Sequence, residues 1–180
     1  MRSVAILSAS VSATAFIFSF GVVRSALGAY YALSAIELGA LVSLTFLIAA
    51  VIIPIVSGFD AKRGLAFLNV ILIAAFVGCA ITHQKWCGVI FLLLIGLTEP
   101  IARVWTLLAL NQKLDDSIRA TTLSTLAMCA QTPYVIMGAV AGYMFAEGYT
   151  AAFCLFMATG SGVAFLCYWI LQTKGLANEI

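Results

Sequence analysis

Long apolar segments alternate with short polar ones along the whole chain. Six of the apolar segments have about the 20 residues that an α-helix needs to cross the hydrocarbon core of a bilayer. They run roughly over 4–23, 36–59, 65–81, 89–110, 122–145 and 152–171. Barrel strands would alternate apolar and polar residues, whereas these segments are continuously apolar. The pattern predicts an all-α membrane protein, a bundle of six transmembrane helices in one domain over residues 1–180.

The composition points to lipid as the solvent. Of the 180 residues, 64% are hydrophobic and only 9% are charged, against about 45–50% and about 25% in soluble domains. A water-soluble globule would have too few charges to cover its surface, and disordered chains are poor in apolar residues. The net charge of +2 and the absence of a basic patch argue against a nucleic-acid partner.

The distribution of Lys and Arg predicts the orientation. Six of these residues fall on one side of the predicted spans: Arg2, Lys62, Arg63, Lys113, Arg119 and Lys174. Only Arg24 and Lys85 fall on the other side. Because cytoplasmic loops are enriched in Lys and Arg, both termini are predicted to be cytoplasmic. The expected location of the protein is the cell (inner) membrane.

The fourth predicted span contains an acid and a base. Glu99 and Arg103 are four residues apart and therefore share one face of a helix, and Pro100 between them removes a backbone donor. Ionised groups within a bilayer are costly and commonly mark proton or substrate sites, so this pair is a candidate site. The alternative is a structural ion pair that fixes helix packing.

The short loop after the second span has a Gly–Asp turn and basic residues. Gly58, Asp60, Lys62 and Arg63 lie at the predicted cytoplasmic edge, where the acid can interact with the positive end of the next helix. The simpler interpretation is a loop that only follows the positive-inside rule. At the outer ends of the first two spans, Arg24 and Glu37 can pair across the hairpin or reach water separately.

The fifth span has polar residues near its middle. A buried amide in lipid needs hydrogen-bond partners, so Gln131, with Tyr134 nearby, is a candidate for lining a cavity. Gly138 and Gly142, at GxxxG spacing, favour close helix packing. The sequence offers no convincing constellation of a nucleophile, a metal-ligand set or paired acids in the membrane, so an enzyme is not expected, and no cofactor is predicted.

These features resemble one half of a major facilitator superfamily transporter. The turn from Gly58 to Gly64, with Asp60, Lys62 and Arg63, resembles that family's cytoplasmic motif between the second and third helices of a half. The segment from Arg119 to Ser124 resembles the region of the fifth helix, more like the C-terminal half.

The resemblance implies two inverted three-helix repeats and transport of a small solute or drug-like molecule by alternating access. It implies that Glu99, Arg103, Gln131 and Tyr134 face the central cavity, and that transport is coupled to protons as it often is in that family. Asp60, Arg63 and the neighbouring motif, with Arg119, would control cytoplasmic closure. A second six-helix half, from a homodimer or a separate chain, is the expected partner. The alternative is a non-transporting interaction subunit or a truncated remnant of a transporter.

Overall fold

The computed structural model describes residues 20–58, 61–111 and 116–173, and these residues form six α-helices and no strand. The helices are α1 (Phe20–Tyr30), α2 (Ala35–Val56), α3 (Ala61–Ile81), α4 (Lys85–Asn111), α5 (Asp116–Ala146) and α6 (Thr150–Thr173). The predicted all-α class is confirmed for this part of the chain. Most of the first predicted span, 4–23, lies outside the described residues.

Three of these helices are long and apolar enough to cross a membrane. The qualifying segments are Ala35–Val56 in α2, Arg63–Ile81 in α3 and Lys85–Trp105 in α4. Large apolar side chains also cover the outside of α2, where Leu47 and Ile55 are exposed. A continuous apolar surface of this kind is typical of contact with lipid or with a protein partner. The chain is therefore a membrane protein.

The core lies around α3 and α4. The most extensive helix contact joins α3 to α6, and α4 packs against α1, α2 and α3. Phe76 of α3 and Phe153 of α6 are completely buried in the same apolar cluster as Ile95 of α4. This packing makes α4 the helix with neighbours on several sides, and it fixes the position of the residues near its middle.

Three glycines let aromatic rings approach the α3–α4 pair closely. The pairs are Gly64 with Trp105, Gly78 with Phe91, and Gly88 with Tyr31. A Cβ atom at these glycines would lie 2.3, 2.4 and 2.6 Å from the nearest ring atom, closer than real Cβ contacts allow. Each ring thus occupies the space of a missing side chain, and substitution there would force the helices apart.

Two of these aromatic residues also satisfy carbonyl groups at helix ends. The hydroxyl of Tyr31 donates to the carbonyls of Cys79 (3.0 Å) and Thr82 (3.2 Å), where α3 ends. The indole N–H of Trp105 donates to the carbonyl of Val56, the last residue of α2, at 3.0 Å. The last carbonyls of a helix lack intrahelical donors, and hydrocarbon supplies none. The rings therefore attach the ends of α2 and α3 to their neighbours.

Polar contacts join the α1–α2 turn to the α3–α4 turn. Ser34 caps α2 in a capping box with Glu37, a reciprocal pairing that satisfies two backbone donors. The Glu37 carboxylate accepts from the Lys85 ammonium at 2.6 Å, and Tyr30 is hydrogen bonded to His83. The structure thus pairs Glu37 with Lys85 and not with Arg24.

Replacing Gly64 tests the contact with Trp105. We expect Gly64→Ala to lower the stability by about 1–3 kcal/mol, the usual cost of overpacking, because the rigid ring must move. Gly142→Ala is the matched control, since a Cβ atom there meets nothing within 4 Å. It should leave the stability unchanged or raise it through helix propensity. The thermal unfolding midpoint in detergent, followed by circular dichroism, measures both, and equal midpoints for the two variants would contradict the contact.

Candidate functional site

A cavity of about 160 Å³ lies between α1, α2 and α4. Its lining is Arg24 from α1, Leu41, Thr45 and Phe46 from α2, and Leu92, Gly96, Glu99, Pro100 and Arg103 from α4. Most of the wall is apolar, and three ionisable side chains converge on it. An apolar cavity with a few convergent polar groups is the usual form of a small-molecule site.

The α4 wall follows from the spacing of its residues. Leu92, Gly96, Glu99 and Arg103 recur at intervals of four, three and four residues, so they form one stripe on the helix. Gly96 leaves space on this stripe, and both Gly96 and Pro100 line the cavity. Because Pro100 has no N–H, the helix lacks the bond that would run from residue 100 to the Gly96 carbonyl. The helix ladder is therefore interrupted beside the cavity.

Glu99 interacts electrostatically with two guanidinium groups. Arg103 on the same helix and Arg24 on α1 both act on its carboxylate. Among the described residues, no ion pair within 4.0 Å joins these three groups. With two guanidiniums and one carboxylate, the ionised cluster has a formal charge of +1. The predicted pair of Glu99 and Arg103 is thus a part of a three-residue cluster.

Arg24 lines the cavity, although the sequence predicted it only as a charge at the outer end of the first span. Its Nε atom is buried and has no hydrogen-bond partner, and a buried donor left unpaired costs about 1–3 kcal/mol. Arg24 precedes the end of α1 by six residues, or about 9 Å along the helix axis. The predicted first span ends at residue 23, before Arg24, so the sequence did not predict that the helix continues past this residue.

The other predicted site residues are described only in part. Gly58 is exposed in the turn after α2, and Arg63 is exposed in the first turn of α3. Asp60 lies outside the described residues. Four more residues stand in helices whose backbones are described, but their side chains lie outside the described part: Lys62, Arg119, Gln131 and Tyr134.

The described residues do not offer a metal site. No three His, Cys, Asp or Glu side chains within them come close enough together to bind an ion. Cys79, Cys87 and Cys154 are all free thiols. The ionisable groups that line the cavity are Arg24, Glu99 and Arg103.

In comparisons with known proteins, no family model, curated sequence or solved structure matches this chain. The fold and the cavity are thus the basis for the function proposed below.

Removing the charge of Glu99 tests the electrostatic cluster. We expect Glu99→Gln to leave the stability nearly unchanged, because the cost of burying the carboxylate offsets its attraction to the two guanidiniums. Glu37→Gln is the control, since it removes a carboxylate from a solvent-exposed pair that contributes little, and Gln preserves the capping box. The thermal unfolding midpoint in detergent compares the two variants. A clearly larger loss of stability in Glu99→Gln than in Glu37→Gln would contradict this balance.

Proposed function

We propose that this protein moves a small solute across the membrane by alternating access, as one six-helix half of a major facilitator-like transporter. The observation that carries the proposal is the charged cavity between α1, α2 and α4. A cluster of three ionisable groups is costly to maintain in a bilayer, and such groups are typical of transport pathways.

The position of the cavity along α4 supports a transport site. Glu99 lies 14 residues after Lys85 and 12 residues before Asn111, about 21 Å and about 18 Å along the axis. The carboxylate is thus close to the middle of the helix. Substrate and coupling-ion sites of secondary transporters lie near the bilayer midplane, at interrupted helices. Pro100 supplies such an interruption next to Glu99.

The cavity volume favours a small solute. At about 160 Å³ the cavity is below the range of about 300–1,000 Å³ that is typical of sites for drug-sized ligands. A solute of a few heavy atoms fits this space. The drug-like molecule considered from the sequence is therefore the less favoured substrate.

The residues have distinct proposed roles. Glu99 binds the coupling proton or the substrate, and Arg103 is its cationic partner, while Gln131 and Tyr134 line the remainder of the pathway. Gly58, Asp60, Lys62, Arg63 and Arg119 belong to the cytoplasmic closing motif. We place the protein in the cell membrane with both termini in the cytoplasm.

The exposure of Arg103 supports a partner for this bundle. Its side chain is exposed although it lies in the membrane-spanning segment Lys85–Trp105. Ionised groups at such positions face water or protein and not acyl chains. We propose that a second six-helix half, from another copy or a separate chain, covers this side and completes the pathway.

Proton-coupled transport is testable in proteoliposomes loaded with a pH-sensitive dye. Pools of amino acids, sugars, nucleosides, organic anions and organic cations serve as probes. We expect at least one pool to induce proton flux with the wild type, and none to do so with Glu99→Gln, which cannot exchange a proton. Glu37→Gln should retain the flux. Flux that Glu99→Gln leaves intact would exclude the proton role, and no flux or uptake from any pool would exclude transport.

The partner is testable by native mass spectrometry from mild detergent. We expect the mass of two six-helix units, either two copies or one copy with a second chain. Arg103→Leu is the comparison variant, because it replaces the charge with an apolar group that lipid accepts. This side of the bundle then no longer needs a partner to cover a charge, so we expect a larger share of single six-helix units. A strict monomer for the wild type would favour a non-transporting protein over a half-transporter.

A further inference from the structure

We infer that the cavity between α1, α2 and α4 binds a small monoanion, held between the guanidinium groups of Arg24 and Arg103. This inference rests on the proposed function and deepens it, since it names the class of solute. Carboxylates and sulfonates of a few heavy atoms belong to this class.

The two guanidinium groups have unused hydrogen-bonding capacity. Within the described part of the chain, neither Arg24 nor Arg103 makes a hydrogen bond or an ion pair, and the Nε atom of Arg24 is buried. The planar guanidinium donates two parallel bonds to a carboxylate or a similar oxyanion. A bound anion would therefore provide an acceptor for the buried Nε–H of Arg24 and a partner for the exposed guanidinium of Arg103.

The charge balance of the lining selects the sign of the solute. Glu99 is the one carboxylate among the residues that line the cavity, and it faces two cations. A monoanion brings the formal charge of the ionised cluster to zero, whereas a cation would increase the excess. Because the apolar walls screen charges poorly, this difference is larger than it would be in water. An anion is thus the favoured occupant.

The depth of the cavity bears on whether a solute or a lipid headgroup fills it. Leu92 and Glu99, which both line it, lie 7 and 14 residues after Lys85, about 10 and about 21 Å along α4. Headgroups stay at the two surfaces of the bilayer, outside a hydrocarbon core of about 30 Å. Leu92 is therefore distant from a headgroup at the Lys85 end, whereas Arg103 lies two residues before Trp105, the other end of the spanning segment.

Glu99 has a definite effect on this binding. Its carboxylate competes with the solute for the same two guanidiniums, so it is the internal counter-ion of the empty site. Removing its charge should strengthen anion binding, although the same change is expected to end proton coupling. This opposite response separates anion recognition from a general loss of the folded site.

The test is saturation-transfer NMR on the purified full chain in detergent, with methanesulfonate as the probe. Dimethyl sulfone, which is neutral and of nearly the same shape, is the control ligand. We expect saturable binding of methanesulfonate alone. Arg24→Gln should weaken it about tenfold or more, the loss of a charge-assisted hydrogen bond, and Glu99→Gln should tighten it severalfold. Lys85→Gln, which removes a cation from the outer turn, should leave the affinity unchanged.

Several outcomes overturn the inference. These are equal binding of dimethyl sulfone, no saturable methanesulfonate binding by the folded wild type, and unchanged affinity in Arg24→Gln. If Arg24→Gln does not fold, Arg103→Gln, at an exposed side chain, takes its place with the same criterion.

Displacement of methanesulfonate by phosphatidylglycerol but not by phosphatidylcholine would assign the site to a headgroup. Anion binding without any transport would refute the proposed function alone, and transport of neutral solutes without anion binding would refute this inference alone.

Discussion

The position of α4 depends on aromatic rings that occupy the space above glycines. Trp105 lies over Gly64 and Phe91 lies over Gly78, so the two ends of the α3–α4 interface are both fixed by a ring. Such contacts allow little adjustment, because interiors are packed as densely as organic crystals. Glu99, between these rings along the helix, is consequently held at a defined depth and on a defined face.

This rigid packing makes the electrostatic arrangement possible. A carboxylate in a bilayer is stable only beside cations or water, and the cations must be held at suitable positions by the backbone. α4 provides one of them, Arg103, through helical spacing alone. The other, Arg24, depends on the contact between α1 and α4. The site is therefore a product of tertiary packing as well as of local sequence.

The sequence alone predicted the all-helical class, because apolar segments of about 20 residues have few other solutions in lipid. It also predicted that Glu99 and Arg103 share a face, since that depends only on a four-residue interval. It did not predict that Arg24 lines the cavity, and Glu37, the partner considered for it, pairs with Lys85. Which helices pack together is set by side-chain fit between distant segments, and the spacing of apolar residues within one segment carries no information about it.

The three charges of the cavity differ in how firmly they are placed relative to one another. Glu99 and Arg103 belong to one helix, so their separation is set by the helix itself. Arg24 stands on α1, which packs against α4 and α5, and its distance to the carboxylate changes with any shift between α1 and α4. Coulomb energy in an apolar cavity depends strongly on distance. The electrostatic energy of the cluster and the packing of α1 are therefore linked through the position of Arg24.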